Sequence, residues 1–131
     1  MQKGSINRVI LVGHLGSDPE TRFTTAGNAV ATFNLATNES WKNSEGNYED
    51  KTEWHRCVFF GKLAETAKDI LQKGQLIYME GRLRTRQWED KDNVKRYTTE
   101  VVGDMFTMLG RKMNSETGNK NQSSEDSDLP F

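Results

Sequence analysis

Alternating apolar and polar positions recur along much of this 131-residue chain and predict that it is built mainly from β-strands. Apolar or β-favouring residues repeat at every second position, and turn-forming residues separate the repeats. The predicted strands cover residues 7–16, 28–41, 52–62, 75–88 and 95–102, followed by a short closing strand at 105–109. The polar loop 42–51 would join the second and third strands as a long hairpin.

One segment departs from the strand pattern and predicts a helix. Between Gly61 and Gly74 the apolar residues recur at helical spacing, and a glycine stands where a helix would end. The predicted order is therefore three strands, one short helix and then two or more strands. This is the order of the OB-fold, a five-stranded Greek-key barrel that commonly binds oligonucleotides. We therefore expect an all-β (mainly β) fold with one helix between strands 3 and 4.

The third predicted strand carries a mixture of rings and cations on one face. Side chains alternate between the two faces of a strand, so every second residue shares a face. The residues of this face are Trp54, Arg56, Val58, Phe60 and Lys62. Rings that stack on unpaired bases, next to cations that neutralise phosphates, are suited to single-stranded nucleic acid. The alternative is that Trp54 and Phe60 belong to the core and that the cations only line its rim.

The fourth predicted strand repeats this mixture. One of its faces carries rings among charged side chains, namely Tyr78, Glu80, Arg82, Arg84, Arg86 and Trp88. Like charges at alternate positions of a strand repel one another, so an anion should lie across the arginines. The alternative is an exposed edge strand that its charges keep soluble, but such a strand has no need of the two rings. Two neighbouring segments with the same mixture favour the binding interpretation.

The distribution of charge divides the chain into a weakly basic part and an acidic tail. The net charge is −1, but residues 1–113 carry 17 Lys and Arg against 15 Asp and Glu. Residues 114–131 carry one lysine against four acids. This asymmetry is typical of a tail that makes interactions of its own.

Several functional classes receive no support from the composition. A single cysteine, Cys57, cannot form an internal disulfide, which favours a reducing cytoplasm. The N-terminus lacks a signal-peptide pattern, and no apolar run approaches the length of a membrane span. The few histidine and cysteine residues predict neither a metal site nor a cofactor.

Four long motifs resemble the family of bacterial single-stranded DNA-binding proteins. They are NRVILVGHLGSDPE, TEWHRCVFFGKLAE, YMEGRLRTRQW and RYTTEVV, within residues 1–110. The resemblance implies that bases stack on the aromatic residues Trp41, Trp54, Phe60 and Trp88. It also implies a homotetramer of OB-folds, with His55 at a subunit interface on the strand face opposite the stacking rings.

The patterns and the resemblance together give one set of expected DNA-binding residues. The expected stacking residues are Trp41, Trp54, Phe60 and Trp88, to which the strand pattern adds Tyr78. The expected phosphate-neutralising residues are Arg56, Lys62, Arg82, Arg84, Arg86 and Arg96. No residue pattern indicates the reading of base edges, so binding is expected to be independent of base sequence.

The C-terminal end carries a second expected site. Residues 111–131 are polar and predicted to be a disordered tail, distinct from the OB-fold domain of residues 1–110. The tail ends in a partner-binding tip formed by Glu125, Asp126, Asp128, Leu129, Pro130 and Phe131. A terminal phenylalanine offers a ring and a carboxylate to a basic-rimmed pocket, and the acids steer it there. The tip resembles the family's acidic tip, which recruits replication and repair enzymes, although Ser127 and Leu129 depart from its usual sequence.

These expectations imply a non-enzymatic protein that binds and protects single-stranded DNA during replication, recombination and repair, in the cytoplasm and associated with the nucleoid. A nuclease would need a carboxylate cluster for metal or a nucleophile with a base, whereas the acids here are scattered. An OB-fold RNA-binding chaperone stays as the alternative, because base stacking does not depend on the 2′-hydroxyl.

Overall fold

The computed structural model describes residues 3–110, which form six β-strands and one α-helix. The bounds are Val9–Leu15 (β1), Glu20–Phe23 (β2), Ala29–Lys42 (β3), Tyr48–Phe60 (β4), Gly61–Ile70 (α1), Leu76–Glu89 (β5) and Lys95–Leu109 (β6). No helix within this part of the chain is long and apolar enough to span a membrane. The predicted tail and its tip, residues 111–131, lie outside the described residues.

Five of the strands close into a barrel. The order of hydrogen-bonded neighbours is β1, β5, β6, β4 and β3, and β1 pairs again with β3 to complete the ring, while β2 pairs with β3. All these pairs are antiparallel except β4 with β6, which run parallel at Cys57 and Val58. The helix connects β4 to β5, the third and fourth strands of the barrel. The predicted mainly β OB-fold is confirmed.

The inside of the barrel is filled by aromatic and aliphatic side chains. Phe59 packs edge-on against Phe33 with ring centroids 5.2 Å apart, and it stacks on Phe106 at 5.3 Å. Gly103 lies beside this group, where an added Cβ would come within 2.1 Å of the Phe59 ring. The close fit leaves no room for a side chain at position 103.

The predicted alternation of faces is correct for most of the side chains at the barrel end of β4. Cys57 and Phe59 are completely buried, whereas Trp54 and Phe60 keep 58% and 39% of their surface exposed. The interpretation of Trp54 and Phe60 as core residues is therefore wrong. The alternation fails at Val58, which shares the face of Trp54 and Phe60 but is 3% exposed. It also fails at the end, because β4 stops at Phe60 and Lys62 lies on the first turn of α1.

Two further differences from the sequence prediction concern β2 and β6. β2 is short and mostly polar, and it carries no alternating apolar pattern from which it could be predicted. The predicted break between 102 and 105 is a bulge within one continuous strand, β6. Gly81 pairs with Gly103 and Glu80 with Met105, so Asp104 is the extra, unpaired residue.

Candidate nucleic-acid interface

Three arginines on neighbouring strands converge on the carboxylate of Glu100. Glu100 belongs to β6, which runs between β4 and β5. It pairs directly with Arg84 of β5, and Arg86 is two positions further along the same strand. On the other side, Arg56 immediately precedes the β4 residue that pairs with Val101. The strand register therefore places arginines on both sides of Glu100, and these four charged residues are called the arginine cluster below.

Hydrogen bonds join all three guanidinium groups to the carboxylate. Arg84 donates from Nη2 to Oε2 of Glu100, while Arg56 and Arg86 donate from Nε to Oε1 at 3.3 and 3.4 Å. The Glu100 side chain is 1% exposed, whereas the three arginine side chains keep 39–42% of their surface exposed. The carboxylate thus lies beneath a layer of cations that reaches solvent.

The arginines keep this buried carboxylate ionised. Burial by itself raises the pKa of Glu100, but the hydrogen bonds from Arg84 and Arg56 and the charges of Arg86 and Arg84 outweigh that effect, so its pKa is lowered. The cluster then carries three positive charges and one negative charge, a net charge of +2. It therefore still attracts a phosphate backbone.

The anion expected across the arginines of β5 is thus supplied by the protein itself. Glu100 is not predictable from the sequence, because a single acid in RYTTEVV has no local signal that tells a buried position from an exposed one. The edge-strand alternative is correct in part. Residues 82–89 pair with β6 alone, whereas the first half of β5 pairs with both β1 and β6.

One cavity is lined by Phe60 together with all four residues of the arginine cluster. The guanidinium of Arg84 lies over the Phe60 ring, 5.3 Å from its centroid, in a cation–π arrangement. The buried side chains of Val30 and Val58 also line the cavity. The outer face therefore offers an exposed ring next to charge, with apolar surface between β3 and β4.

Two residues of β2 also line this cavity. Phe23 is 63% exposed and follows Arg22, which makes no ion pair within residues 3–110. They offer the same combination of ring and cation as β4 and β5. Sequence reasoning missed both residues because it did not predict the strand that places them here.

Trp54 shares a face of β4 with Arg56 and Phe60 and is the most exposed of the three tryptophans. Its ring lies against Gly16, where an added Cβ would come 2.5 Å from Cζ3. The backbone N–H of Gly16 donates to the carbonyl oxygen of Asn34 at 2.9 Å, which fixes this close approach. One edge of the ring is therefore supported by backbone while much of it stays open to solvent.

Trp88 lies near the outer end of the hairpin formed by β5 and β6. It has the same strand parity as the arginines of β5, and its Nε1–H donates to Oγ1 of Thr98 at 2.9 Å. Its cross-strand partner Arg96 donates from Nε to a carboxylate oxygen of Asp90 at 2.9 Å. The pKa of Asp90 is lowered, first by the backbone hydrogen bond from Val94 and then by Arg96. The hairpin thus holds Trp88 and Arg96 in defined positions.

Trp41 lies on the part of the β3–β4 hairpin that extends beyond the barrel. It pairs with Glu49, whereas Trp54 pairs with Ala36. Positions 36 and 41 differ in parity, so the two rings start from opposite faces of the hairpin. Both faces are solvent-exposed at this end. The structure does not bring Trp41 to the face of Trp54, and its stacking role stays a prediction.

Tyr78 is far from the other expected stacking residues. It pairs with Val12 of β1 and Thr107 of β6, and its hydroxyl donates to a carboxylate oxygen of Glu80 at 2.6 Å. Ten positions of extended strand separate it from Trp88, which corresponds to about 33 Å. The hydrogen bond to Glu80 is the main cause of the raised pKa of Tyr78. The structure therefore does not group Tyr78 with the exposed rings.

Two of the expected phosphate-binding cations also lie apart from the cluster. Arg82 forms an exposed ion pair with Asp104 at 3.0 Å and lines a separate cleft with Ile6 and Arg8. Lys62 is exposed on α1. The structure thus brings together three of the six expected cations, those around Glu100.

His55, the expected subunit-interface residue, lies on the β4 face opposite Trp54. Its Nε2 is 2.9 Å from Oγ1 of Thr37, and the residue is half-buried.

Within residues 3–110 no group of His, Cys, Asp or Glu side chains is arranged to hold a metal ion. Cys57 is a buried free thiol, and burial raises its pKa to about 12.

The chain matches the model of one protein family and a curated relative of the same kind. The model of the Single-strand binding protein family matches residues 6–109. The chain is 49% identical over 117 residues to Single-stranded DNA-binding protein 1 of Xylella fastidiosa (strain 9a5c), covering 88% of this chain and 86% of that protein.

Solved structures agree with this result. A Plasmodium falciparum SSB in complex with ssDNA has a TM-score of 0.74 and 34% identity, covering 84% of this chain and 100% of that chain. A deletion mutant of the single-stranded DNA binding protein from Thermus aquaticus has a TM-score of 0.71 and 35% identity, covering 80% of this chain and 51% of that chain. The family model, the close relative and the shared fold together show that this chain belongs to the single-strand binding protein family.

Proposed function

We propose that this protein binds single-stranded DNA, independently of base sequence, through the outer face that carries the arginine cluster. The observation that carries the proposal is that three exposed rings lie next to this net-positive cluster. The rings are those of Trp54, Phe60 and Trp88. The names of similar proteins support it, since one is called a single-stranded DNA-binding protein and another was solved with ssDNA.

The rings account for a preference for single strands over duplex. An unpaired base offers its flat face to an aromatic side chain, whereas a base within a duplex is already stacked on its neighbours. Each base stacked on a ring contributes about 1–3 kcal/mol, and every base has such a face. Binding of this kind tolerates any sequence, as the absence of a base-edge pattern also indicates.

The arginine cluster accounts for the backbone contribution. Neutralising phosphates releases counterions, so the affinity falls as salt rises, with a slope of about 0.7 per phosphate contact for single strands. The three guanidinium groups are partly exposed and keep a net positive charge after pairing with Glu100. We therefore expect a measurable but moderate salt dependence.

The test is a titration of tryptophan fluorescence with oligo-dT, at low and high salt. All three tryptophans are partly exposed, at 42%, 58% and 42% for Trp41, Trp54 and Trp88. Stacking should quench their emission, and duplex DNA of equal length should quench it far less. The control variant is Ile6→Ala, since Ile6 is 85% exposed and lines the separate cleft.

Two outcomes would contradict the proposal. If neither DNA quenches the emission, the exposed rings do not stack on bases. If duplex DNA binds this face as tightly as oligo-dT does, the face recognises only the charge of the phosphate backbone and not unpaired bases. A further competition with an RNA oligonucleotide of equal length decides between single-stranded DNA and the RNA-binding alternative, because only a contact to the 2′-hydroxyl would favour RNA.

We also propose the wider role that follows from family membership. In it, the protein protects single-stranded DNA in the nucleoid during replication, recombination and repair, as a homotetramer. His55 would lie at a subunit interface, and the C-terminal tip would recruit partner enzymes. Light scattering of the full chain measures the assembly state. Pull-down of replication and repair enzymes with and without residues 125–131 tests the tip.

A further inference from the structure

We propose that Glu100 is a positioning residue for DNA binding, which holds the three arginines of the cluster in the arrangement that meets the phosphate backbone. The inference rests on the proposed function and assigns a favourable role to a negative charge within a site for a polyanion. An acid at such a place would ordinarily weaken binding by repelling phosphates.

The contacts show how one carboxylate can order three cations without consuming them. Arg56 and Arg86 use Nε in their contacts with Glu100. Within the described residues, no acceptor takes a hydrogen bond from the terminal Nη groups of these two arginines. Those groups carry further N–H donors in a planar fork, which is the part of arginine that fits a phosphate.

Ordering matters because arginine side chains are long and flexible. A free side chain loses much of its rotamer freedom when it binds, and this loss reduces affinity. Here Glu100 fixes Arg56 and Arg86 by the inner Nε, and Arg84 by Nη2, before DNA arrives. The Arg84 guanidinium is also fixed over the ring of Phe60, 5.3 Å from its centroid. A base stacked on the other face of the Phe60 ring would therefore have a preset cation across the ring from it.

Three arginines are more than Glu100 needs for its own stabilisation, which favours a role for Glu100 in positioning them. A buried carboxylate needs enough hydrogen bonds to satisfy it, and one well-placed arginine can provide two. Glu100 is contacted by three arginines, each of which remains 39–42% exposed. The outcome is a site with an excess of positive charge at its surface.

The two possible roles of Glu100 predict opposite effects of Glu100→Gln. The substitution keeps the shape of the side chain and raises the net charge of the cluster. If Glu100 is only a counter-charge, binding becomes tighter and the salt slope becomes steeper by about 0.7. If Glu100 positions the arginines, binding becomes weaker in spite of the added positive charge.

The experiment compares Glu100→Gln with Asp104→Asn in the full chain. Both substitutions remove one negative charge from β6, but Asp104 contacts Arg82 in an exposed pair outside the cluster. Titrations with oligo-dT at several salt concentrations give the affinity and the slope of log K against log salt. Each variant is first checked for folding by circular dichroism and thermal melting.

We expect Glu100→Gln to weaken binding about tenfold, the effect of losing about one charge-assisted contact. The salt slope should fall by about 0.7–1.4, which corresponds to one or two phosphate contacts. Asp104→Asn should bind as tightly as the unchanged protein or slightly more tightly. Unchanged or tighter binding by Glu100→Gln would overturn the inference while leaving the proposed function intact, whereas failure of the unchanged protein to bind oligo-dT would overturn both.

A second measurement uses the unchanged protein, in case Glu100→Gln does not fold. Nuclear magnetic resonance resolves the Nε–H signals of arginine side chains. Those of Arg56 and Arg86 should exchange with water more slowly than that of Arg22, and they should stay protected when oligo-dT is added. Equal exchange rates for Arg56, Arg86 and Arg22 would show that Glu100 does not order the cluster.

Discussion

Trp54→Ala should weaken binding of single-stranded DNA while leaving the barrel folded. The ring is 58% exposed, so its removal uncovers far less apolar contact than the loss of a core ring. A tryptophan side chain can bury about 150–250 Å². With less than half of that covered, truncation loses about 80 Å², or about 2 kcal/mol of folding free energy.

The expected effect on binding is of similar size but is measured differently. Loss of stacking on one base costs about 1–3 kcal/mol, which is about 5- to 150-fold in affinity. The assay is titration with oligo-dT, which Trp41 and Trp88 still report in the variant, together with thermal melting. The matched control is Phe59→Ala, which removes a fully buried ring and should cost about 3–5 kcal/mol of stability.

Two results would refute this reasoning about Trp54. A melting temperature as low as that of Phe59→Ala would mean that the ring supports the core. An unchanged affinity in a folded variant would mean that bases do not stack on this ring, and the stacking site would then have to lie on Phe60 and Trp88.

Three further predictions follow from close contacts and shifted pKa values. Gly16→Ala should displace the Trp54 ring, because the new Cβ would lie 2.5 Å from it; weaker binding and altered emission are expected, and unchanged emission would contradict this. Burial raises the pKa of Cys57 to about 12, so the thiol of the native protein at pH 8 should resist iodoacetamide until urea unfolds the chain. The free energy of unfolding should also fall as the pH rises above 9.0, the ordinary pKa of the thiol. The lowered pKa of Glu100 contributes stability above its ordinary value of 4.5, which is lost as pH falls through the lowered native value. Urea midpoints from neutral pH down to about pH 3 should therefore fall less steeply in Glu100→Gln, and identical acid limbs in both proteins would disprove this contribution.

The sequence was informative where a local period decides the structure. Along β4, every second residue faces the barrel, so alternation alone separates buried Cys57 and Phe59 from exposed Trp54 and Phe60. Helical spacing likewise located α1 to within a few residues. The order of strands and helix then indicated the OB-fold, because it matches the order of that five-stranded barrel.

The sequence was less informative where two segments distant along the chain must meet. Tyr78 and Trp88 share a parity on β5, yet the strand between them is long enough to place them in different neighbourhoods. β2 forms because the free edge of β3 pairs with a polar segment of the chain. This pairing places Phe23 at the cavity that Phe60 also lines. No periodicity within β2 itself records that pairing.

By itself, the sequence determined the barrel, its helix and the two faces of its strands, because each depends on the alternation or spacing of neighbouring residues. Only the tertiary structure decided what the arginines of β4 and β5 do. The parallel pairing of β4 with β6 carries Arg56 to the same carboxylate as Arg84 and Arg86. Burial, hydrogen bonding and charge at Glu100 arise from three strands at once, so no single stretch of sequence contains them.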